Sequence, residues 1–311
     1  MGWIFSEMCQ SETRLDGKVA IVTGCNTGIG KETIAEFYRR GAKVIAACRD
    51  IQKTQAAIDD IKESTKELQN VGSFVIQELD LSSFESVRKC AERILQTEPS
   101  IHLLVDNAGI MACPKQLSKD GYELQFATNH LGHFLFTLLL LPRIIKSAPA
   151  RIVIVASSAH QFGDGKMHFE DINLDNGYTP SHAYGRSKTA NILFARELGK
   201  RLKGTGVTTY SLHPGIINTE LGRHLHETYP WTSRLANFFI KSFGKTPIQG
   251  AQTTLYCALD EKCANETGLY YAECAVSTPM YRARCDERAA ELWNESIKLV
   301  KLENYDPFQP A

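Results

Sequence analysis

An excess of charge of one sign is absent from this sequence, because 35 lysine and arginine residues balance 35 aspartate and glutamate residues. The basic residues form only isolated pairs, so the electrostatic footprint expected of a nucleic-acid-binding protein is missing. Nine cysteines are present, yet none stands in a C-x-x-C pair, which argues against a zinc ribbon or a dithiol redox site. Their odd number and scattered spacing are typical of a reducing compartment.

Long hydrophobic runs are also missing. The most apolar stretch, 134–141, is far shorter than the roughly 20 residues that a membrane-spanning helix needs, and the N-terminus does not have the pattern of a signal peptide. The first residues instead match the loose pattern for N-myristoylation at Gly2, with Cys9 as a candidate for a second acyl chain. We therefore expect a protein on the cytoplasmic side, either soluble or peripherally attached to a membrane.

The sequence does contain a regular alternation of short apolar strands and helices. Continuous apolar strands separated by helices predict a parallel sheet that is covered on both faces. Right-handed crossovers then make it an α/β fold with a doubly wound, Rossmann-type sheet. The predicted strands are 18–22, 43–47, 73–79, 101–105, 151–155 and 207–212, and the predicted helices are 32–40, 53–69, 84–96, one within 122–145, and 184–202.

No linker rich in proline and glycine interrupts this series, so we expect one domain over residues 16–311, preceded by an N-terminal tail over 1–15. The pattern loosens after Pro214. Residues 222–246 look like an insertion with its own apolar helix around Phe238 and Phe239. Near the carboxyl end of the sheet such an insertion would form a substrate lid.

A glycine-rich turn, Thr-Gly-Cys-Asn-Thr-Gly-Ile-Gly over 23–30, joins the first strand to the first helix. Gly24 permits a sharp turn, Gly28 lets the backbone approach a phosphate, and Gly30 allows the helix to pack close to the strand. A pyrophosphate would lie at the helix N-terminus, so Asn26, Thr27 and Ile29 join the predicted cofactor-binding residues. An ordinary turn between a strand and a helix would rarely need three glycines.

The end of the second strand predicts which dinucleotide binds. A site for NAD usually has an acidic residue there, but this chain has Ala-Cys-Arg over 47–49. The guanidinium of Arg49 suits a 2'-phosphate, and Asp50 is placed to cap the next helix instead. We therefore expect NADP(H). The alternative is that Arg49 is an ordinary solvated arginine on the surface. Asp80 is predicted to hydrogen-bond the adenine. The segment Asn107, Ala108 and Gly109 closes the fourth strand with small residues that let the backbone approach the cofactor closely.

Tyr184 and Lys188 are four residues apart, so they share one face of a predicted helix. A free phenol titrates near 10, and we expect the nearby ammonium to lower the pKa of Tyr184. Tyr184 then serves as the proton donor when a carbonyl is reduced, and Lys188 is in reach of the nicotinamide ribose. Taken alone, this spacing is common by chance.

Two further polar groups complete the candidate site. A hydroxyl at the end of the fifth strand, from Ser157 or Ser158, would hydrogen-bond the substrate oxygen. Asn129 would bind water and connect Lys188 to solvent, or else be a core amide satisfied by the backbone. His130 and His133 have no acidic or thiol companion at ligand spacing, so we assign them to core packing or surface and predict no metal.

Together these motifs, in this order, strongly resemble the short-chain dehydrogenase/reductase superfamily, and more narrowly its retinol dehydrogenase 11-to-14-type branch. The narrower likeness lies in Asn-Thr-Gly-Ile-Gly-Lys-Glu-Thr over 26–33, Ala-Cys-Arg-Asp over 47–50 and Asn-His-Leu-Gly-His-Phe over 129–134. The resemblance implies a catalytic tetrad of Asn129, Ser157, Tyr184 and Lys188, with Ser158 as the fallback serine. It also implies cofactor contacts from Pro214, Gly215, Ile217 and Thr219.

The implied reaction interconverts an apolar alcohol and its aldehyde, retinol and retinal above all, in the direction of reduction where NADPH is abundant. One alternative is a carbonyl reductase of broad specificity that acts on lipid aldehydes, steroids or xenobiotic ketones. Another is a non-catalytic NADP(H) sensor, which the presence of both Tyr184 and Lys188 opposes. The long helices from Tyr122 and Tyr184 are candidate homodimer surfaces. The apolar segments near Phe134 and Phe238 are candidates for contact with a membrane or a partner.

Overall fold

The computed structural model describes residues 7–217 and 244–309. Among these residues, eight strands form one sheet in which β1 to β7 run parallel and β8 is antiparallel to β7. Their order across the sheet is β3-β2-β1-β4-β5-β6-β7-β8, which is the order of a doubly wound sheet. The strands are β1 (Val19–Thr23), β2 (Lys43–Cys48), β3 (Ser73–Glu78), β4 (Leu103–Asp106), β5 (Ala150–Val155), β6 (Val207–Leu212), β7 (Leu269–Ala272) and β8 (Ala275–Ser277).

Helices cover both faces of the sheet. Alternate residues of β1 show the two sides, since Val19 and Ile21 lie in one apolar core while Ala20 and Val22 lie in the other. Helices α1, α2 and α6 pack on one face, and α3, α4, α5 and α7 pack on the other. They are α1 (Gly28–Arg39), α2 (Ile51–Ser64), α3 (Phe84–Thr97), α4 (Leu124–Lys146), α5 (Pro180–Arg201), α6 (Pro247–Leu259) and α7 (Asp286–Leu299).

The six strands predicted from the sequence are confirmed to within two residues at each end, whereas three helix boundaries were wrong. Helix α1 begins at Gly28 and not at 32. Helix α2 ends at Ser64 and not at 69, because the hydroxyl of Thr65 bonds to the carbonyl of Ile61 at 2.6 Å and closes the last turn. Helix α5 begins at Pro180 and not at 184. Its start follows from Thr179, whose side chain accepts a bond from the third backbone amide of the helix, and from proline at the first helical position.

The C-terminal part contains elements that the sequence pattern did not predict, namely β7, β8, α6 and α7. Strand β8 also corrects the expectation of a wholly parallel sheet. Glu273 and Cys274 both have positive φ, 50° and 54°, and join β7 to β8 in a two-residue turn. Such a turn forms a tight hairpin, so the last strand at this edge must run antiparallel.

Residues 7–15, predicted as part of a tail, lie against helix α6. The amide of Cys9 donates to the side-chain oxygen of Gln252 at 3.1 Å, and the hydroxyls of Ser11 and Thr13 donate to the carbonyl of Leu259 at 3.3 Å. Gly2, Thr219 and the Phe238–Phe239 segment of the predicted lid fall outside the described residues. By length and composition α4 could cross a membrane, but 83% of its most apolar window is buried inside the domain.

Candidate active site

The carboxyl ends of β1 and β4 are tied together by Thr23. Its hydroxyl oxygen accepts bonds from the backbone amides of Asn107 at 3.0 Å and Ala108 at 2.9 Å. The side-chain amide of Asn107 in turn donates hydrogen bonds to the carbonyls of Thr23 and Gly24. Asn107 therefore holds the glycine-rich turn in place from behind. Sequence reasoning did not single out Thr23, although a hydroxyl directly before the first glycine was a signal.

The glycine-rich turn fits the phosphates of a dinucleotide. Gly24 and Gly28 have φ of 61° and 55°, and a Cβ on Gly24 would lie 2.7 Å from the Cα of Ala108. A Cβ on Gly30 would lie 2.6 Å from the carbonyl oxygen of Gly24. Thr27 precedes helix α1 without a side-chain cap, so the first amides of this helix are left to bind a phosphate.

The end of β2 carries a thiol pair and an exposed guanidinium. The Sγ atoms of Cys25 and Cys48 are 3.5 Å apart, and the amide of Cys25 donates to Cys48 Sγ at 3.1 Å. These contacts pack the glycine-rich turn against the end of β2. Arg49 follows and is exposed. Asp50 caps helix α2 by accepting from the amide of Lys53 at 2.9 Å, which confirms the predicted cap.

Two other predicted cofactor positions border this region. The carboxylate of Asp80 accepts bonds from the amide and hydroxyl of Ser82 and forms an ion pair with Lys119 at 3.0 Å. Its contact with adenine stays a prediction. On the opposite side, side-chain atoms of Ile29 and Ile217 both lie within 3.1 Å of where a Cβ on Gly250 would stand. The segment after β6 is thereby brought to the start of helix α1.

Pro214 and Gly215 follow β6 directly. Gly215 has a φ of 99°, which favours glycine, and a Cβ at this position would lie 3.0 Å from the Cδ of Lys245. Ile217 pairs with Lys245 in an isolated parallel bridge. These contacts hold the 214–217 segment at the carboxyl ends of the strands, where the glycine-rich turn also lies.

Tyr184, Ser157 and Lys188 meet at the carboxyl end of β5. The hydroxyl of Ser157 hydrogen-bonds to Tyr184, and it also accepts from the amide of Ala159 at 3.1 Å. Of the two candidate serines, Ser157 is therefore the one in contact with the phenol. The Nζ of Lys188 lies 5.7 Å from the centre of the Tyr184 ring and donates to the carbonyl of Val155 at 2.9 Å.

Burial decides the proton affinities in this cluster. It raises the pKa of Tyr184 to about 12, against the opposing hydrogen bond from Ser157, and it lowers the pKa of Lys188 to about 8. The expectation that Lys188 lowers the pKa of Tyr184 is therefore wrong for this structure. The loss of solvation outweighs the lysine, whose ammonium faces the Val155 carbonyl. The phenol holds its proton at neutral pH, as a proton donor must.

Asn129 lies in a π-helical segment of α4, Ala127–Leu131, an irregularity that is frequent at functional sites. Its side chain donates to the carbonyl of Ile110 and accepts from the amide of the same residue, both at 2.9 Å. A Cβ on Gly109 would lie 3.3 Å from Asn129 Oδ1 and 3.5 Å from Lys188 Nζ. Gly109 thus leaves the space between Asn129 and Lys188 open, while the proposed water path through it stays a prediction.

His130 and His133 are core residues, as one of the sequence interpretations had it. Both are at most 1% exposed. The ring of His133 bonds to the hydroxyl of Thr23 at 2.9 Å, and the ring of His130 bonds to the hydroxyl of Ser296 at the same distance. Burial lowers the pKa of His133 to about 4 and that of His130 to about 3, so both rings are neutral at physiological pH.

Comparison with known proteins agrees with this geometry. Residues 18–230 match the family model described as short chain dehydrogenase. Retinol dehydrogenase 12 of Bos taurus is 46% identical over 295 residues, which cover 95% of this chain and 90% of that protein. Retinol dehydrogenase 11 of Homo sapiens is 45% identical (96% and 90% covered), and human retinol dehydrogenase 14 is 41% identical (93% and 88% covered).

Solved structures share the fold. An uncharacterised protein from Mycobacterium paratuberculosis superposes with a TM-score of 0.71 at 33% identity, covering 93% of this chain and 95% of that one. A protein described as an NAD(P)-dependent gluconate 5-dehydrogenase from Beutenbergia cavernae, crystallised with NADP at low occupancy, gives 0.65 at 23% identity, with 84% and 96% covered. The chain belongs to the short-chain dehydrogenase family, in the branch of the retinol dehydrogenases 11 to 14, and is an oxidoreductase of the kind that uses NAD(P)(H).

Proposed function

We propose that the protein interconverts retinol and retinal with NADP(H), and that Tyr184 transfers the proton. The observation that carries this proposal is the buried cluster at the end of β5, where the Tyr184 hydroxyl bonds to Ser157 and Lys188 lies 5.7 Å from the ring. Support for the substrate comes from relatives that are 41–46% identical over nearly the whole chain and are named retinol dehydrogenases.

The chemistry of reduction divides between cofactor and protein. The nicotinamide supplies a hydride to the carbonyl carbon when it is bound. Tyr184 donates its phenolic proton to the carbonyl oxygen as negative charge develops there. Ser157 stabilises that charge with its hydroxyl and orients the phenol. Because the phenol is only 5% exposed, bulk water does not compete for the proton.

Lys188 and Asn129 act behind the phenol. The Nζ of Lys188 lies 5.7 Å from the centre of the Tyr184 ring, which places its ammonium among the groups that resupply a proton to the phenol. Asn129 Oδ1 faces the gap beside Lys188 Nζ that Gly109 leaves, and a water in that gap would return a proton from solvent. This arrangement assigns proton donation to Tyr184 and resupply to Lys188 and Asn129.

NADP(H) is favoured over NAD(H) by the end of β2. The exposed guanidinium of Arg49 follows β2 and suits a 2'-phosphate by its charge and forked donors. The nearest carboxylate, Asp50, accepts from the amide of Lys53 with one oxygen, which assigns it to the cap of α2. Both features disfavour the arrangement that an NAD site needs.

The test is NADPH oxidation by purified protein with all-trans-retinal. Tyr184→Phe should lower kcat/KM by at least about a hundredfold, since positioned acid catalysis contributes this much. Tyr210→Phe is the matched control, because its hydroxyl bonds to Thr208 and Cys263 away from the site. It should retain activity within about threefold.

The same assay, applied to variants of Ser157 and Ser158, tests which serine contacts the phenol. Ser157→Ala should lower kcat by about a hundredfold, whereas Ser158→Ala should leave it within about threefold of the parent. Equal losses at both positions would contradict the assigned contact. If NADPH binds tightly but retinal is not turned over, a panel of ketones and lipid aldehydes tests the broad carbonyl reductase. Failure of the whole panel would point to an NADP(H) sensor.

A further inference from the structure

One cluster of metal-ligating side chains lies outside the site described above. Among the residues that the structure describes, Asp164, His168 and His182 bring one ligand atom each to within 4.8 Å of one another. The Nε2 of His168 is 2.9 Å from one carboxylate oxygen of Asp164, and the Nε2 of His182 is 3.3 Å from the other. The prediction of no metal concerned His130 and His133, whereas this cluster pairs a loop aspartate with a helical histidine 18 residues away, a spacing that no short motif signals.

The geometry points to a binding site for a zinc(II)-class cation formed by Asp164, His168 and His182, which joins the loop after β5 to the first turn of α5. Imidazole nitrogens suit zinc and its transition-metal neighbours, whereas calcium and magnesium prefer oxygen ligands. Tetrahedral zinc with bonds of about 2.0–2.2 Å holds its ligand atoms roughly 3.4 Å apart. The two observed nitrogen–oxygen distances, 2.9 Å and 3.3 Å to the two different oxygens of Asp164, are near that separation. Three protein ligands leave a fourth position for water.

A second carboxylate supports a cation over a simple hydrogen-bonded cluster. The Nδ1 of His168 lies 3.5 Å from Glu170 Oε1, while its Nε2 faces Asp164. A neutral imidazole has a single N–H and cannot donate to both carboxylates. With a cation on Nε2, the Nδ1–H would be free to donate to Glu170, 3.5 Å away, which is the usual kind of outer contact of a metal-bound histidine. A doubly protonated ring is the alternative that the experiment must separate.

The backbone conformation around the cluster leaves room for the ligand side chains. Gly163 has a φ of 84°, and a Cβ there would lie 2.3 Å from the Cδ2 of His182, so only glycine leaves room for that ring. His168 has a left-handed conformation with φ of 54°. The side chains of His168 and His182 are only 21% and 20% exposed, so the ligand atoms are partly screened from solvent. His182 stands two residues before Tyr184, so an occupied site would brace the start of the catalytic helix.

The experiment is calorimetric titration of the chelator-treated full chain with zinc sulfate. We expect one equivalent that is lost, or weakened at least tenfold, in His168→Asn, because asparagine tolerates the left-handed backbone but removes the imidazole. Glu170→Gln should weaken the same equivalent about tenfold, as loss of an outer contact does. Cys274→Ser, which removes a partly exposed thiol elsewhere, should bind zinc as the parent does.

Cobalt(II) provides a second measurement that does not depend on the variants. Bound at this site, it should give visible bands without a thiolate charge-transfer band, because the ligands are nitrogen and oxygen. A thiolate band would assign the uptake to cysteines and overturn the proposal. Equal zinc binding by the parent and His168→Asn would also overturn it, as would the absence of uptake by the parent, which would leave a hydrogen-bonded cluster only. None of these measurements uses retinal turnover. The test of the zinc site is therefore independent of the test of the proposed function.

Discussion

Asp106, at the end of β4, is a fully buried carboxyl that borders the candidate cofactor site. One of its oxygens accepts a bond from the hydroxyl of Thr137 at 2.8 Å, and the other has no hydrogen-bond partner among the described residues. Burial therefore raises the pKa of Asp106 to about 8, despite the bond from Thr137. The side chain is a neutral acid in the folded protein at pH 7 and an anion in the unfolded chain.

The stability of the fold should depend on pH through this group. Between the ordinary pKa of 3.8 and about 8, the folded chain keeps a proton on Asp106 that the unfolded chain has lost. Stability due to this group is thus fully present below the lower value and falls by about 1.4 kcal/mol per pH unit as pH rises through the window. Asp106→Asn cannot ionise, so between about pH 5 and pH 7 it should gain roughly 3 kcal/mol relative to the parent. Urea unfolding of both proteins measures this, and parallel curves would show that Asp106 is ionised in the fold.

Single residues also show what sequence reasoning could and could not predict. Tyr184 and Lys188 follow from their spacing on a helix, and Asp50 from its place before one. The direction of the Tyr184 pKa could not be predicted, because it depends on how deeply the phenol is buried, and burial comes from contacts distant in sequence. The choice of Ser157 over Ser158 was made from the sequence, and the contact of Ser157 with the phenol agrees with it.

At the scale of elements, helix α5 is the platform of the site, since it carries both Tyr184 and Lys188. Its start is fixed by Thr179, whose hydroxyl accepts from the amide of His182 at 3.3 Å. Helix α3 starts in the same way, because the hydroxyl of Ser83 accepts from the amide of Ser86 at 3.3 Å. The two caps are therefore equal in kind, but only the one on α5 lies near Tyr184.

Removing each cap separates stability from positioning. Thr179→Ala and Ser83→Ala should each lower the free energy of unfolding by about 1 kcal/mol. Only Thr179→Ala should also lower kcat, by about three- to tenfold, because a small displacement of the donor costs rate. Unfolding curves and steady-state rates with retinal give both quantities. An equal effect of the two substitutions on kcat would mean that the first turn of α5 does not position Tyr184.

Elements were predictable where the apolar pattern was long and regular. Strands β1, β2, β4, β5 and β6 are mostly buried runs between turns, so their sequence alone located them. Strand β3 was located as well, although its middle is only half-buried and its ends are exposed. Strands β7 and β8 have four and three residues, and apart from the middle of β7 these are exposed or half-buried, so neither is a continuous buried run like the equally short β4. Their pairing depends on an edge of the sheet that β6 provides and on a left-handed turn at two non-glycine residues, which sequence patterns rarely signal.

At the scale of the whole molecule, residues that are far apart in the sequence come together at the carboxyl ends of the strands. The glycine-rich turn, Arg49, Gly109 and Ser157 follow β1, β2, β4 and β5, and all these strands are parallel. Ligands of open α/β sheets bind at this edge, where the strand order reverses beside β1. A cofactor bound at the carboxyl ends of these strands would contact elements from both halves of the sheet, so its binding should be coupled to the stability of the entire domain.

This coupling provides the test of cofactor choice. A ligand at a hundred times its Kd adds about 2.7 kcal/mol to the free energy of unfolding, so NADPH should raise the Tm more than NADH at the same concentration. Arg49→Ala should weaken NADPH binding about tenfold, or roughly 1.4 kcal/mol, and leave NADH unchanged, because only NADPH has the 2'-phosphate. Lys203→Ala removes one exposed positive charge after α5, at the other edge of the sheet, and should preserve the preference. If Arg49→Ala weakens both cofactors equally, the guanidinium acts on their common part, and the assignment of NADP(H) loses its basis.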